Sequence, residues 1–181
     1  MRKAAWKFFA DYEKEEVWLN EMSAKGLALK DFFLGRYTFD DCKPGEYVYR
    51  IEFLEDYPGN PVSRRYLDFM AENGVEHVAS WARWVYFRRK AEEGAFDIYS
   101  DFDSRIKHYQ RINNLLLAIT SMFTIFLSSF VIRALSEPYD LQPFNLVAIV
   151  VYVCLLAISF FTWNSYRRRI RRLKLEKELR E

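Results

Sequence analysis

"WLNEMSAKG" at residues 18–26 and "YLDFMAENG" at residues 66–74 are two writings of one phrase, and that repetition decides the fold. With an offset of 48 residues, Leu19 falls on Leu67, Met22 on Met70, Gly26 on Gly74 and, further along, Phe39 on Phe87. Each copy predicts an amphipathic helix ending at a glycine, where a left-handed residue is cheap and the last helical carbonyls can be satisfied. Two strand-like stretches follow each helix, "LALKDFFL" and "RYTFDD" in the first copy, "VEHVASW" and "RWVYFRR" in the second. A further strand leads into each helix, "AAWKFF" before the first and "YVYRIEF" before the second. In the latter, Tyr47, Tyr49, Ile51 and Phe53 alternate with Val48, Arg50 and Glu52, the period of a strand with one buried face. The unit is strand-helix-strand-strand, written twice. A unit of about 45 residues buries too little apolar surface to stand alone, so the two copies must share a sheet or pack sheet to sheet.

The rest of the 181-residue chain is of another kind. Residues 112–132, "INNLLLAITSMFTIFLSSFVI", and 146–163, "LVAIVVYVCLLAISFFTW", hold no charged side chain. At about 1.5 Å per residue each can cross a hydrocarbon layer roughly 30 Å thick. The intervening "RALSEPYDLQPFN" carries Pro138 and Pro143, which disfavour a continuous helix. The expected architecture is therefore an α+β domain of two strand-helix-strand-strand units over residues 1–99 and a juxtamembrane helical stalk over 100–111. Transmembrane helices over 112–132 and 146–163 follow, joined by an extracytoplasmic loop, 133–145, and closed by a basic helical tail, 164–181. The tail offers the helical pairs Lys174 with Glu178 and Glu176 with Arg180.

Charge sets the orientation. Arg105, Lys107 and Arg111 precede the first span, and Arg167, Arg168, Arg169, Arg171, Arg172 and Lys174 follow the second, whereas the loop holds only Arg133. The positive-inside rule then puts both termini and the domain in the cytoplasm, and the same basic run faces anionic lipid. The first 100 residues carry 15 Lys or Arg against 18 Asp or Glu, a balance that argues against direct nucleic-acid binding. Cys42 and Cys154 are expected as ordinary thiols, one in a reducing compartment and one within a span.

No catalytic, cofactor or metal signature stands out. Asp97, Asp101 and Asp103 lack calcium-loop spacing and sit where the stalk helix begins, where Ser100 and Asp103 form a capping pattern. His77, in a strand, and His108, on the stalk, have no second ligand at metal spacing. The carboxylates of "EKEE", residues 13–16, suit a first helical turn and are expected on a solvated face. The residues that remain are aromatic. Trp18, Tyr49, Trp81, Trp84 and Tyr86 are the candidates for a pocket between the halves or for a partner surface. Within the first span Thr120, Thr124 and Ser128 form a hydroxyl ladder suited to helix packing.

Taken as an ordered set, "EKEEVWLNEMSAKGLAL", "YTF", "GEYVYRIEF", "YLDFM", "GVEHV" and "IYSDFDSRIKHYQRI" ahead of two spans resembles the family DUF 2812, uncharacterised bacterial membrane proteins. The resemblance implies the bacterial inner membrane and no assigned activity. Family members are often encoded beside PadR-type transcriptional regulators, which implies a regulatory setting and such a regulator, or another membrane protein, as partner. The duplicated unit is also similar, at the level of fold, to the paired modules of GyrI-like small-molecule-binding domains. The reading is a membrane-anchored, non-enzymatic regulatory or sensory protein whose cytoplasmic domain binds a protein or a small ligand. Its alternatives are an accessory subunit of a membrane complex and an enzyme working in the aromatic cleft.

Overall fold

The computed structural model describes residues 3–94, 96–99, 101–136 and 143–179. Ser100 of the expected cap, residues 137–142 of the loop and Arg180 of the tail lie outside them. The chain divides into two compact units, Met1–Ser100 and Asp101–Glu181.

The first unit runs β1 (Lys3–Trp6), α1 (Tyr12–Ala24), β2 (Leu27–Phe33), β3 (Arg36–Asp41), β4 (Tyr47–Phe53), α2 (Pro61–Glu72), β5 (Glu76–Trp81) and β6 (Trp84–Lys90). The strands form two antiparallel three-stranded sheets, ordered β1-β3-β2 and β4-β6-β5, with β2 running beside β5. The two repeats of this unit therefore keep separate ladders and meet edge to edge. β1 stops at Trp6, short of the expected Phe9, because the partner strand ends there: Trp6 pairs with Arg36, the first residue of β3.

The duplication holds down to irregularities. Both central ladders shift register at the same place, between Leu29 and Asp31 in β2 and between His77 and Ala79 in β5. Gly26 and Gly74, one after each helix, have φ of +79° and +76°, left-handed values that L side chains rarely adopt. Phe39 and Phe87 are 1% and 0% exposed. Helix starts follow local chemistry, since Asp11 accepts from the Glu13 amide and Asn60 from the Val62 amide ahead of Pro61.

One core serves both copies: Leu19, Leu29, Tyr37 and Phe39 pack with Tyr49, Ile51, Ala79 and Tyr86. A smaller cluster of Leu54, Met70, Val75, Val85, Phe87 and Phe96 lies under α2. The tie between copies is polar. Along β4, whose other side pairs with β6, the edge is closed by side chains of α1. Ser23 Oγ donates to the Tyr47 carbonyl (2.6 Å) and accepts from the Tyr47 amide (3.2 Å). Asn20 donates to the Tyr49 carbonyl (3.2 Å) and accepts from its amide (2.8 Å), and Glu16 accepts from the Ile51 amide (3.0 Å). Residues 16, 20 and 23 share one helix face, so a helix substitutes for a fourth strand.

In the second unit α3 (Phe102–Ser136) and α4 (Pro143–Glu178) form a hairpin. The start of α3 meets the end of α4, where Lys177 Nζ lies 2.9 Å from both Asp103 oxygens. Asp101 caps α3, accepting from the Ser104 amide (2.7 Å) and hydroxyl (2.8 Å). Each helix carries a stretch long and apolar enough to cross a membrane, with 6% of it buried.

Asn20→Ala leaves an amide and a carbonyl of β4 without their partner and is expected to lower unfolding free energy by about 2–4 kcal/mol. Asp68→Ala, at the corresponding and exposed position of α2, should stay within about 0.5 kcal/mol. Chemical denaturation of the two variants in parallel checks this.

Candidate functional site

Helix α1 presents a second polar group, on the face toward the shared core. Glu15 is 8% exposed, and its Oε1 accepts from Tyr37 Oη of β3 (2.7 Å) and Tyr86 Oη of β6 (2.6 Å). One carboxylate oxygen thus links a helix to both sheets. Burial raises the Glu15 pKa above the ordinary carboxylate value against the pull of the two hydroxyls. Burial and then the neighbouring carboxylate push both tyrosines up, so their hydroxyls stay protonated and donate. Glu16 is raised as well, first by burial, with the Ile51 amide and Arg50 pulling it back. The expectation of a solvated "EKEE" face is corrected here: Glu15 and Glu16 are structural acids tied to backbone and tyrosines far away in sequence.

A second buried carboxylate, Glu52 of β4, is 5% exposed and accepts from Tyr66 (2.7 Å) and Tyr99 (3.0 Å). The period-two pattern assigned Glu52 to the open side of β4, and the two tyrosines are what allow it inside.

A hollow of about 260 Å³ opens at the seam of β2 and β5, walled by Leu29, Lys30, Asp40, Glu76, His77 and Arg88 among others. Arg88 dominates it. Its Nε and Nη2 each lie 2.7 Å from a Glu76 oxygen, and Nη1 donates across the seam to the Leu29 carbonyl (3.3 Å). The guanidinium also stacks 4.4 Å from the Tyr47 ring centre. Tyr49 Oη accepts from the Leu29 amide (2.9 Å), and burial lifts its pKa to about 12. Lys30 pairs with Asp40 at 2.6 Å on the opposite wall. The bulges at Lys30 and Val78 set both of these residues in the hollow's wall.

The sequence candidates fall elsewhere. Tyr49 and Tyr86 are core residues, 1% and 2% exposed, and Trp18 and Trp84 pack on that core. Trp81 lies at the end of β5, 37% exposed. None of the five lines the seam hollow. His77 is on β5 with its ring against Phe87, and His108 is buried on α3. Asp97 pairs with Arg50 at 3.6 Å. Among the described residues there is no His, Cys, Asp and Glu grouping suited to a metal ion. Thr120 and Thr124 line a space between α3 and α4, while Thr120 and Ser128 donate to carbonyls of their own helix at 3.1 and 2.6 Å. Of the basic run, Arg167 stacks on Trp163 and Arg169 lies near Tyr109 and Tyr166; Arg168, Arg171, Arg172 and Lys174 are exposed.

These features define the class, a duplicated α+β domain with internally engaged carboxylates, carried ahead of two long apolar helices. The chain belongs to the DUF2812 family, proteins of unknown function, whose family model matches residues 11–121. No curated protein and no solved structure matches it.

Because the folded state holds the Glu15 proton more tightly than the unfolded chain, stability falls as pH rises from the ordinary carboxylate range through the raised pKa, then levels. Glu15→Gln keeps an acceptor for both tyrosines and should flatten that slope. Glu15→Leu strands two buried hydroxyls and should cost about 2–4 kcal/mol at neutral pH. Denaturation midpoints between pH 4 and 8 for the three proteins distinguish these outcomes.

Proposed function

We propose that the chain is a two-span protein of the bacterial cytoplasmic membrane, both termini inside, whose duplicated domain is a non-enzymatic sensory or regulatory module. Its ligand is a small anionic compound held at the β2/β5 seam. The observation that carries this reading is Arg88, a cation from the second repeat that bridges to the first through the Leu29 carbonyl while Glu76 holds its other nitrogens. A carboxylate or phosphate can take the place of Glu76 on the same planar fork, because Glu76 is more than half exposed and can swing aside. Ligand binding then changes the charge and side-chain positions at the joint between repeats, and that joint is what a protein partner, such as a transcriptional regulator, would read.

The membrane part is supported by the outward-facing side chains of α3 and α4. Ile125, Phe126, Val150, Val153, Ile158 and Phe161 are between 57% and 73% exposed. A soluble core helix would bury such residues, and a hydrocarbon layer is the solvent that accepts them. The excess of arginine that follows the second apolar span, within α4, supports inward-facing termini.

The test is thermal unfolding of the full chain in nanodiscs against a panel of small carboxylates and phosphates. At about a hundredfold excess over Kd, a specific ligand stabilises by about 2.7 kcal/mol, and Arg88→Leu should abolish that shift. A panel without effect on the wild type, with a regulator co-purifying from native membranes, would replace the ligand reading by a partner reading. Release of the chain by an alkaline wash would overturn the anchor.

A further inference from the structure

Four large apolar side chains stand out of the domain at one place. Trp6, Phe8, Phe33 and Leu34 are 69%, 77%, 61% and 48% exposed. Register brings them together: Trp6 of β1 and Phe33 of β2 both pair with Arg36 of β3, so the three side chains stand in one row on one face. The core lies on the other face, where the neighbouring row contains Tyr37 and Phe32. Leu34 sits in the β2–β3 turn, and Phe8 packs against Gly35, whose added Cβ would come within 2.5 Å of the ring. The Lys7 amide fixes this geometry by donating to the Gly35 carbonyl (2.9 Å).

The turn is built against local preference. Leu34 has φ of +45°, a left-handed conformation usual for Gly, Asn or Asp and rare for a bulky apolar residue. The same position in the second repeat, Ala82 at φ +55°, carries only a methyl group. There the neighbouring Arg83 folds back to the Leu54 carbonyl (2.9 Å) and stacks on Phe53. Leu54, the counterpart of Trp6, is 4% exposed. One hairpin tip is closed on its own domain and the other is held open with apolar groups outward.

Charge at this tip also departs from the rest of the domain. The tip row holds Arg36 and no acid, and the nearest acid on that face is Asp31, one row inward beside Thr38, in a domain with 15 basic against 18 acidic residues. Lys3 is engaged by Asp41 at 3.2 Å, and the Lys7 ammonium lies over the Phe9 and Trp18 rings (4.8 and 4.9 Å), which pack on the core, so Arg36, in the row between Trp6 and Phe33, is the base at the tip. Aromatic and leucine side chains around an arginine are the chemistry of groups that enter the headgroup layer of an anionic bilayer. A domain carried on a membrane hairpin meets that surface at high effective concentration.

From this juxtaposition we infer that the tip formed by Trp6, Phe8, Phe33 and Leu34 with Arg36 docks on the anionic lipid surface. The inference rests on the membrane reading above and is independent of the seam hollow. Docking places one face of the first repeat against lipid and leaves the seam to ligand or partner.

The test uses the full chain with Cys42→Ser and Cys154→Ser, labelled with an apolar fluorophore at Leu34→Cys or, as control, at Arg65→Cys on α2. Proteoliposomes contain phosphatidylglycerol and brominated acyl chains as quencher. The label at 34 should be quenched well above the control, and Arg36→Glu should weaken docking by at least about fivefold. Equal quenching at both sites, in protein that resists an alkaline wash, would overturn the docking and leave the anchor standing. Loss of the protein in the wash would overturn both. Unchanged quenching in purely zwitterionic vesicles would remove the role of Arg36 and overturn the anionic assignment. Shielding in detergent that rises with protein concentration would assign the tip to a second copy and overturn the lipid assignment.

Discussion

The edge of β4 is the constraint around which this domain is arranged. A strand with one side in a ladder leaves alternate amides and carbonyls on the other, and burying them unpaired would cost several kcal/mol. The chain closes that edge with Glu16, Asn20 and Ser23 of the helix belonging to the other repeat. Once α1 is committed to β4, its neighbouring face must look into the space between the sheets. Leu19, fully buried, and Glu15 occupy it. The acid is tolerated there because Tyr37 and Tyr86 arrive from both sheets to solvate it. A carboxylate in a core is usually destabilising when a partner is missing, and here two neutral donors converge on one oxygen.

Duplication followed by asymmetry explains the rest of the domain. Glu16, Asn20 and Ser23 correspond to Arg64, Asp68 and Ala71 of α2, all exposed, and Glu15 corresponds to Ser63, which donates to the Asp56 carbonyl (3.3 Å). One helix became the joint and the other a cover for its own sheet, which accounts for two clusters of unequal reach. The two hairpin turns diverged in the same sense. Arg83 seals one, while Gly35 in the other makes room for Phe8.

How far the sequence was legible follows from the range of the interactions involved. β3 and β4 carry the bounds their alternation and flanking turns suggest, and the glycines mark both helix ends, because these depend on neighbours within a few residues. Glu15 was misread as solvated because its partners are 22 and 71 residues away, and nothing near position 15 announces them. Period two shows that Tyr49 points inward without saying whether inward is a core or a cleft. The seam hollow shares that difficulty. Its ion pairs join Lys30 to Asp40 and Arg88 to Glu76, ordinary surface pairs in sequence, and only two bulges at equivalent positions bring them to one opening. The tip was invisible for the same reason, since Trp6 and Phe33 meet through a third strand.

The two joints between the repeats differ in strength, and this bounds what a ligand at the seam can do. The α1 side rests on buried groups, where removing one partner strands another in a low dielectric and is strongly resisted. Across the seam run the Arg88 bond to the Leu29 carbonyl and the Leu29 amide bond to Tyr49 Oη, while the Arg88–Glu76 and Lys30–Asp40 pairs lie each within one repeat, and exposed pairs contribute between nothing and about 1 kcal/mol each. An anion that displaces Glu76 from Arg88 therefore meets little opposition at β2 and β5, while the ladder on β4 and the Glu15 centre hold the repeats in place. The response such a domain can give is a local change at its β2/β5 edge, in charge and side-chain position, and not a parting of its halves. A partner able to read it must bind at that edge, on strands whose outer faces already carry the charged residues of the hollow.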